Sequence, residues 1–97
     1  YSDLGQTAKA IDCYKQGIKI DREIGRRIGE ASKLGNLGNR YSDLGQTTKA
    51  IKYFEKAIKI KKETGHRQGE IIGIDSLGKA LIDQNDFREF RRNNLRK

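Results

Sequence analysis

The sequence predicts an all-α fold, an α-solenoid of stacked antiparallel helix pairs, and three observations predict it. Sliding the chain 40 residues along itself superposes YSDLGQT at 1–7 on YSDLGQT at 41–47, Lys9-Ala10-Ile11 on Lys49-Ala50-Ile51, and Ile18-Lys19-Ile20 on Ile58-Lys59-Ile60. Self-similarity at such a period marks an array of small supersecondary units that bury a core only by stacking. Within each copy, apolar residues recur at three and four positions, which puts them on one face of a helix. Glycines punctuate these stretches, and glycine enters the left-handed conformation that closes a helix at no steric cost.

Taken in order, residues 1–5 read as the last turn of a helix ended by Gly5, with Thr7 capping the next one. Ala10, Ile11, Tyr14 and Ile18 line that helix, and Gly25 ends it. A second helix runs from about residue 27 to 44 with Leu34, Leu37, Gly38, Tyr41 and Leu44 on one face. Its interior glycines, Gly35 and Gly38, each cost about 1 kcal/mol relative to alanine. Close approach of the following helix is the expected offset, with Gly38 facing Ala50 and Phe54. Gly45 and Thr47 make the turn, Ala50, Ile51, Phe54, Ala57 and Ile58 form the next apolar face, and Gly65 stops it. Ile74, Leu77, Gly78 and Leu81 then open a third unit. There Asn85 replaces the turn glycine, and Asp86 with Glu89 resembles a capping box. Phe90 and Asn93-Asn94 break the pattern, so residues 86–97 are expected to form a short terminal helix with a solvated basic tail. The units are thus 1–26 (a second half), 27–66 (complete) and 67–97 (with a degenerate second helix).

Composition narrows the function classes. At 97 residues, 34% hydrophobic and 35% charged, the chain is too polar for a large globular core. No apolar run reaches the length of a membrane span and no secretory leader opens the chain, so a soluble, cytoplasmic protein is expected. The opening on Tyr1 in mid-pattern predicts a piece of a longer array. Cys13 is the single cysteine, which leaves no internal disulfide. Cys13 stands at the position of Tyr53 and is expected to be a half-buried packing residue. His66 falls in a loop, and Ser2 and Ser42 lack a base at any recognisable spacing. Phosphate-binding glycine loops and paired metal ligands are absent, so neither enzymatic activity, nor a cofactor, nor a metal is expected.

At this point the unit resembles a tetratricopeptide repeat. Leu34, Leu37-Gly38, Tyr41, Gly45, Ala50, Phe54 and Ala57 fill that family's positions in one complete unit. Tyr1, Gly5, Ala10 and Tyr14 match the second half of an earlier unit, and Ile74, Leu77-Gly78 and Leu81 the first half of a later one. The usual unit is about 34 residues. The longer period here resembles the branch of Pins/LGN-type scaffolds and kinesin light chains. Gly17 stands where the family has alanine, which should loosen the packing of that helix. The family's closing proline is missing.

The resemblance implies a right-handed superhelix whose first helices line a concave groove while the second helices face outward. The outward stretches 7–24, 47–64 and 86–97 hold 15 of the 21 basic residues and 7 of the 13 acidic ones, which is the whole net charge of +8. Lys49, Lys52, Lys56, Lys59, Lys61 and Lys62 have no aromatic platform beyond the packed Tyr53 and Phe54, so they read as a solubilising face and nucleic acid is not the expected partner. On the lining helices, Asp3, Asp43 and Asp83 recur one period apart in a last turn, where the helix dipole disfavours a carboxylate. They either pair with Lys9 or Lys49 or cap the turn, or they form a ladder of acceptors along the groove. Behind them lie Asn39 and Lys79, then Asn36 and Ser76, with Asp75 nearby. Asparagine both donates and accepts, which suits the main chain of an extended peptide. The resemblance implies that role for Asn36 and Asn39. The expected function is a non-enzymatic interaction scaffold whose groove residues Asn36, Asn39, Asp43, Asp75, Ser76, Lys79 and Asp83 hold a protein or peptide partner. The other readings are a spacer or self-assembling unit that forms homo-oligomers through its repeat ends, and a regulatory arm of a larger enzyme or transcription factor.

Overall fold

The computed structural model describes the backbone of residues 4–95 and the side-chain surroundings of residues 5–85. Four helices follow one another: α1 (Leu4–Ile24), α2 (Arg27–Asp43), α3 (Thr47–Glu63) and α4 (Arg67–Leu95). Each packs on the next, and α2 also touches α4 across one side of the stack. The molecule is elongated, 54 × 31 × 20 Å.

The three turns are built alike, and the 40-residue period relates the first to the third. Gly25, Gly45 and Gly65 have φ of 79°, 75° and 73°. In each turn the following amide donates back across the helix end: Arg26 N to Asp21 O at 2.8 Å, Gln46 N to Tyr41 O at 2.9 Å, and His66 N to Lys61 O at 2.8 Å. These bonds satisfy carbonyls that the helix end would leave open.

Two expected turns do not form. Gly5 lies inside α1 without a positive φ, and Thr7 is therefore an interior residue rather than a cap. Asn85 likewise stays helical, because among the described residues no non-glycine has positive φ. Residues 86–95 extend α4 instead of opening a new helix at Asp86, so the capping box with Glu89 has no helix start to cap. The solvated tail and the environments of Phe90 and Asn93-Asn94 lie outside the described side chains.

The core sits between α2 and α3. Ala31, Leu34, Leu37 and Tyr41 of α2 bury against Ala50, Phe54, Ala57 and Ile60 of α3, with Ile11 and Ile18 of α1 and Ala80 of α4 joining from either side. Gly38 makes the close approach expected of it: a Cβ there would lie 2.7 Å from the Phe54 ring. Gly35 does not, since nothing comes within 4 Å of the position its Cβ would take. Nor is α1 loosened at Gly17. Its missing side chain leaves the space that Lys33 occupies, with Lys33 Cε 2.7 Å from where a Cβ would be.

Across α1 and α2 that lysine takes part in a charged contact the apolar pattern did not announce. Lys33 Nζ donates to Asp21 Oδ2 at 2.6 Å, and Arg22 Nε donates to Glu30 Oε2 at 3.0 Å. Asp21 and Glu30 are both buried. The matching α3–α4 contact is apolar: Gly73 stands where α2 has Lys33, and Ile58 packs against it.

Candidate peptide-binding cleft

Helices α2 and α4 run side by side over α3, and a cleft of about 190 Å³ opens between them. Ser32, Gly35, Asn36 and Asn39 form its α2 wall, Ile72 and Ser76 its α4 wall, and Phe54 and Ala57 its floor. The period explains the arrangement, because Ser32, Asn36 and Asn39 share one helix face at three- and four-residue spacing and their equivalents forty positions on share the same face of α4. Gly35 belongs to this wall, so its bare backbone widens the cleft instead of drawing two helices together. Among the described residues, the side chains of Asn36, Asn39 and Ser76 make no intramolecular hydrogen bond.

A wider depression of about 790 Å³ continues the surface toward α1. It shares Ser32 and Asn36 with the cleft and adds Tyr14, Lys33 and the α1–α2 turn. Asn36 therefore stands at the junction of one continuous concave strip. Two cations that line it are already engaged: Lys33 with Asp21, and Arg27 Nη2 with Glu63 Oε1 at 2.6 Å.

The other sequence-predicted site residues fall elsewhere. Asp43 is exposed and pairs with Arg40 of its own helix at 3.1 Å, not with Lys49. Arg40 lies one turn back on the same face, while Lys49 instead places its Nζ 5.2 Å from the centre of the Tyr41 ring. Asp83 lines a separate depression with Gln84 and the Gly45–Thr48 turn. Asp75 and Lys79 are exposed and outside the cleft. Asp3 lies outside the described residues, so the periodic ladder reduces to two carboxylates beyond the cleft's end.

Two features escaped the sequence reading. His66 is exposed, as expected of a loop residue, yet its Nδ1 accepts a hydrogen bond from Gly69 N at 3.1 Å and so caps α4. The lysine face also has an aromatic element: Tyr53 stacks on Tyr41, ring centres 5.3 Å apart, with Lys15, Lys49 and Lys56 each over one of the two rings. Hydrogen bonding to Tyr41, then the charge of that group, raises the Lys15 ammonium above its ordinary value. Because Tyr41 is buried and the rings cover each other, this pair is packing rather than an open stacking platform. Among the described residues no helix is long and apolar enough to cross a membrane, and no group of three or more His, Cys, Asp or Glu could hold a metal ion.

Comparison with known proteins agrees with this architecture. None of the curated proteins matches the chain. The solution NMR structure of a designed protein, DA05, superposes with a TM-score of 0.80 at 22% identity, covering 84% of this chain and 82% of that one. At that identity the likeness is one of fold. The tetratricopeptide repeat family matches residues 1–63 of the 97. With that match over well more than half of the chain, and with Leu34, Tyr41, Ala50, Phe54 and Ala57 buried in one core, the chain belongs to the tetratricopeptide repeat family, whose repeats generally mediate protein–protein interactions.

Proposed function

We propose that the chain is a non-enzymatic, cytoplasmic scaffold that holds an extended peptide along the α2–α4 cleft. The observation that carries this reading is the convergence of Asn36, Asn39 and Ser76, all without internal partners, on a cleft bared by Gly35. An asparagine amide in such a cleft reads a peptide main chain by donating to its carbonyl and accepting from its N–H, which binds without demanding one sequence. Asp43 and Asp83 extend the same helix faces by one turn, and Asp75 and Lys79 are exposed on α4 outside the cleft. There they meet polar and basic side chains of the peptide. The 40-residue period supports placing the units at 1–26, 27–66 and 67–97, in the long-repeat branch of Pins/LGN-type and kinesin-light-chain-type scaffolds. Nucleic acid is a poor partner for the lysine face, because the tyrosines that could stack a base are engaged with each other.

A peptide-library selection tests the proposal, run against the protein and against an Asn36→Ala, Asn39→Ala variant whose helicity is unchanged. The expected outcome is an enriched motif with polar and basic residues, bound at least about tenfold more weakly by the variant, which is about 1.4 kcal/mol. Enrichment that the variant retains in full contradicts it.

A further inference from the structure

The α1–α2 and α3–α4 junctions share a notch and differ in the charge that fills it. Gly29 and Gly69 are forty positions apart, each the third residue of its helix, and each makes room for a side chain of the helix before. At Gly29 that side chain is Asp21, with Oδ2 2.8 Å from where a Cβ would stand; at Gly69 it is Lys61, with Cδ at 2.8 Å. Asp21 and Lys61 are themselves forty positions apart, so the period keeps the notch and reverses the charge. Asp21 is answered inside the chain by Lys33 Nζ at 2.6 Å. Lys61 is not: the position that matches Lys33 is Gly73, and among the described residues Lys61 enters no ion pair. Its stem also crosses the first turn of α4, where the helix dipole disfavours a cation. Lys61 reads from the sequence as part of a solubilising face, yet it is half-buried and lines the α2–α4 cleft with Ser32, Asn36 and Ser76. The other cations lining that cleft and the depression beside it, Arg26, Arg27 and Lys33, are paired with Asp21, Glu30 or Glu63. Lys61 is the one left for a ligand.

We propose that Lys61 selects the peptide held in the cleft by pairing with the carboxylate of an Asp or Glu side chain within it. The inference rests on the cleft reading and adds the chemistry of the occupant. A carboxylate supplied by the peptide gives the α3–α4 junction the lysine–carboxylate pair that Lys33 and Asp21 give α1–α2, and a charge-assisted bond is stronger than a neutral one. The antiparallel packing of α2 and α3 fixes where along the cleft this happens. Phe54 lies over Gly38, so Lys61, about two turns further along α3, stands about two turns back along α2, level with Ser32. Asp43 lies at the other end, eleven residues beyond Ser32. At about 1.5 Å per helical residue that is about 16 Å, which an extended peptide covers in about five residues. The cleft is therefore cationic at the Lys61 end and anionic at the Asp43 and Asp83 end. It orders its peptide: an acidic residue at the first, a basic residue about five positions away at the second.

Selection from random peptides embedded between fixed linkers, so that no peptide terminus is free, tests this. The targets are the wild type, Lys61→Glu, Lys61→Gln and the Asn36→Ala, Asn39→Ala variant, each checked for unchanged helicity. The wild type is expected to enrich an Asp or Glu about five positions from a Lys or Arg. Lys61→Glu is expected to enrich the same motif with Lys or Arg in the acidic place, and to bind the wild-type motif at least about tenfold more weakly. Binding of the exchanged peptide also shows that this variant folds. Lys61→Gln keeps a stem in the Gly69 notch and is expected to lose the acidic preference while retaining the rest of the motif. A wild type that enriches no motif or one without an acidic residue, an acidic preference that survives Lys61→Glu, or a preference seen only when a free C-terminal carboxylate is offered would each overturn the proposal. The asparagine variant keeps the two claims apart. Binding lost there, with the acidic preference unchanged by Lys61→Glu, leaves the cleft reading standing and overturns the role of Lys61. Binding retained there overturns the cleft reading and this inference with it.

Discussion

Glycine in this chain means different things at different positions, and the contrast is testable. Gly38 and Gly78 occupy the same place in successive units, yet only Gly38 carries a neighbour, the Phe54 ring. Gly38→Ala is expected to destabilise by about 1–3 kcal/mol, because the added methyl overfills a packed contact. Gly78→Ala is expected to stabilise a monomer by about 1 kcal/mol through helix propensity alone. Urea unfolding of the two variants at a concentration where the chain is monomeric checks both signs. His66→Ala is expected to cost about 1 kcal/mol by removing the only side-chain cap found at the starts of α2, α3 and α4, with His66→Asn retaining most of it. The role of Gly38 was legible in the sequence, because its position in the apolar stripe puts it opposite an aromatic. The cap was not, since His66 in a loop looks like any other polar surface residue. Asn36 and Asn39 were legible as lining-face residues, and both stand in the wall of the α2–α4 cleft. Asp43 was not, because Arg40, its actual partner, was given no part in the pattern.

At the scale of elements, the turns at Gly25, Gly45 and Gly65 were readable because each glycine sits between two stretches long enough to be helices. Gly5 and Asn85 carry the same local signal, yet both lie inside helices without positive φ. A turn residue permits reversal, but only a second helix that packs back on the first drives it. Asn85→Gly is therefore expected to lower the helicity of the last ten residues of α4, by about 1 kcal/mol of local helix stability, without creating a fourth turn. Amide hydrogen exchange at residues 86–95 reads this directly. The α1–α2 contact is held differently from α3–α4, through charge where the other uses Gly73 and Ile58. Asp21→Ala leaves Lys33 without its buried carboxylate partner. It is expected to cost about 2–3 kcal/mol, below the usual cost of a broken buried pair because Lys33 is itself partly exposed. Nothing in the apolar periodicity reports such a pair, since Asp21 and Lys33 read as ordinary surface positions until α1 and α2 are laid together.

Over the whole molecule, contacts run from each helix to its neighbours, so stability is a sum of local interfaces. Among the described residues, Ile20 on α1 and Ile74 and Leu81 on α4 stay exposed on the outer faces of those helices. Both walls of the central strip, α2 and α4, are fixed by their packing on α3. If this strip works through the free amides of Asn36 and Asn39, a bound peptide must perturb them. Titrating a selected peptide into isotope-labelled protein, and following the side-chain NH₂ resonances of the asparagines by NMR, reads this directly. Saturable shifts at Asn36 and Asn39 are expected, with the α3 lysine face unmoved. Shifts confined to Lys52, Lys56 and Lys59, with both asparagine amides silent, would contradict a peptide-binding role for the cleft.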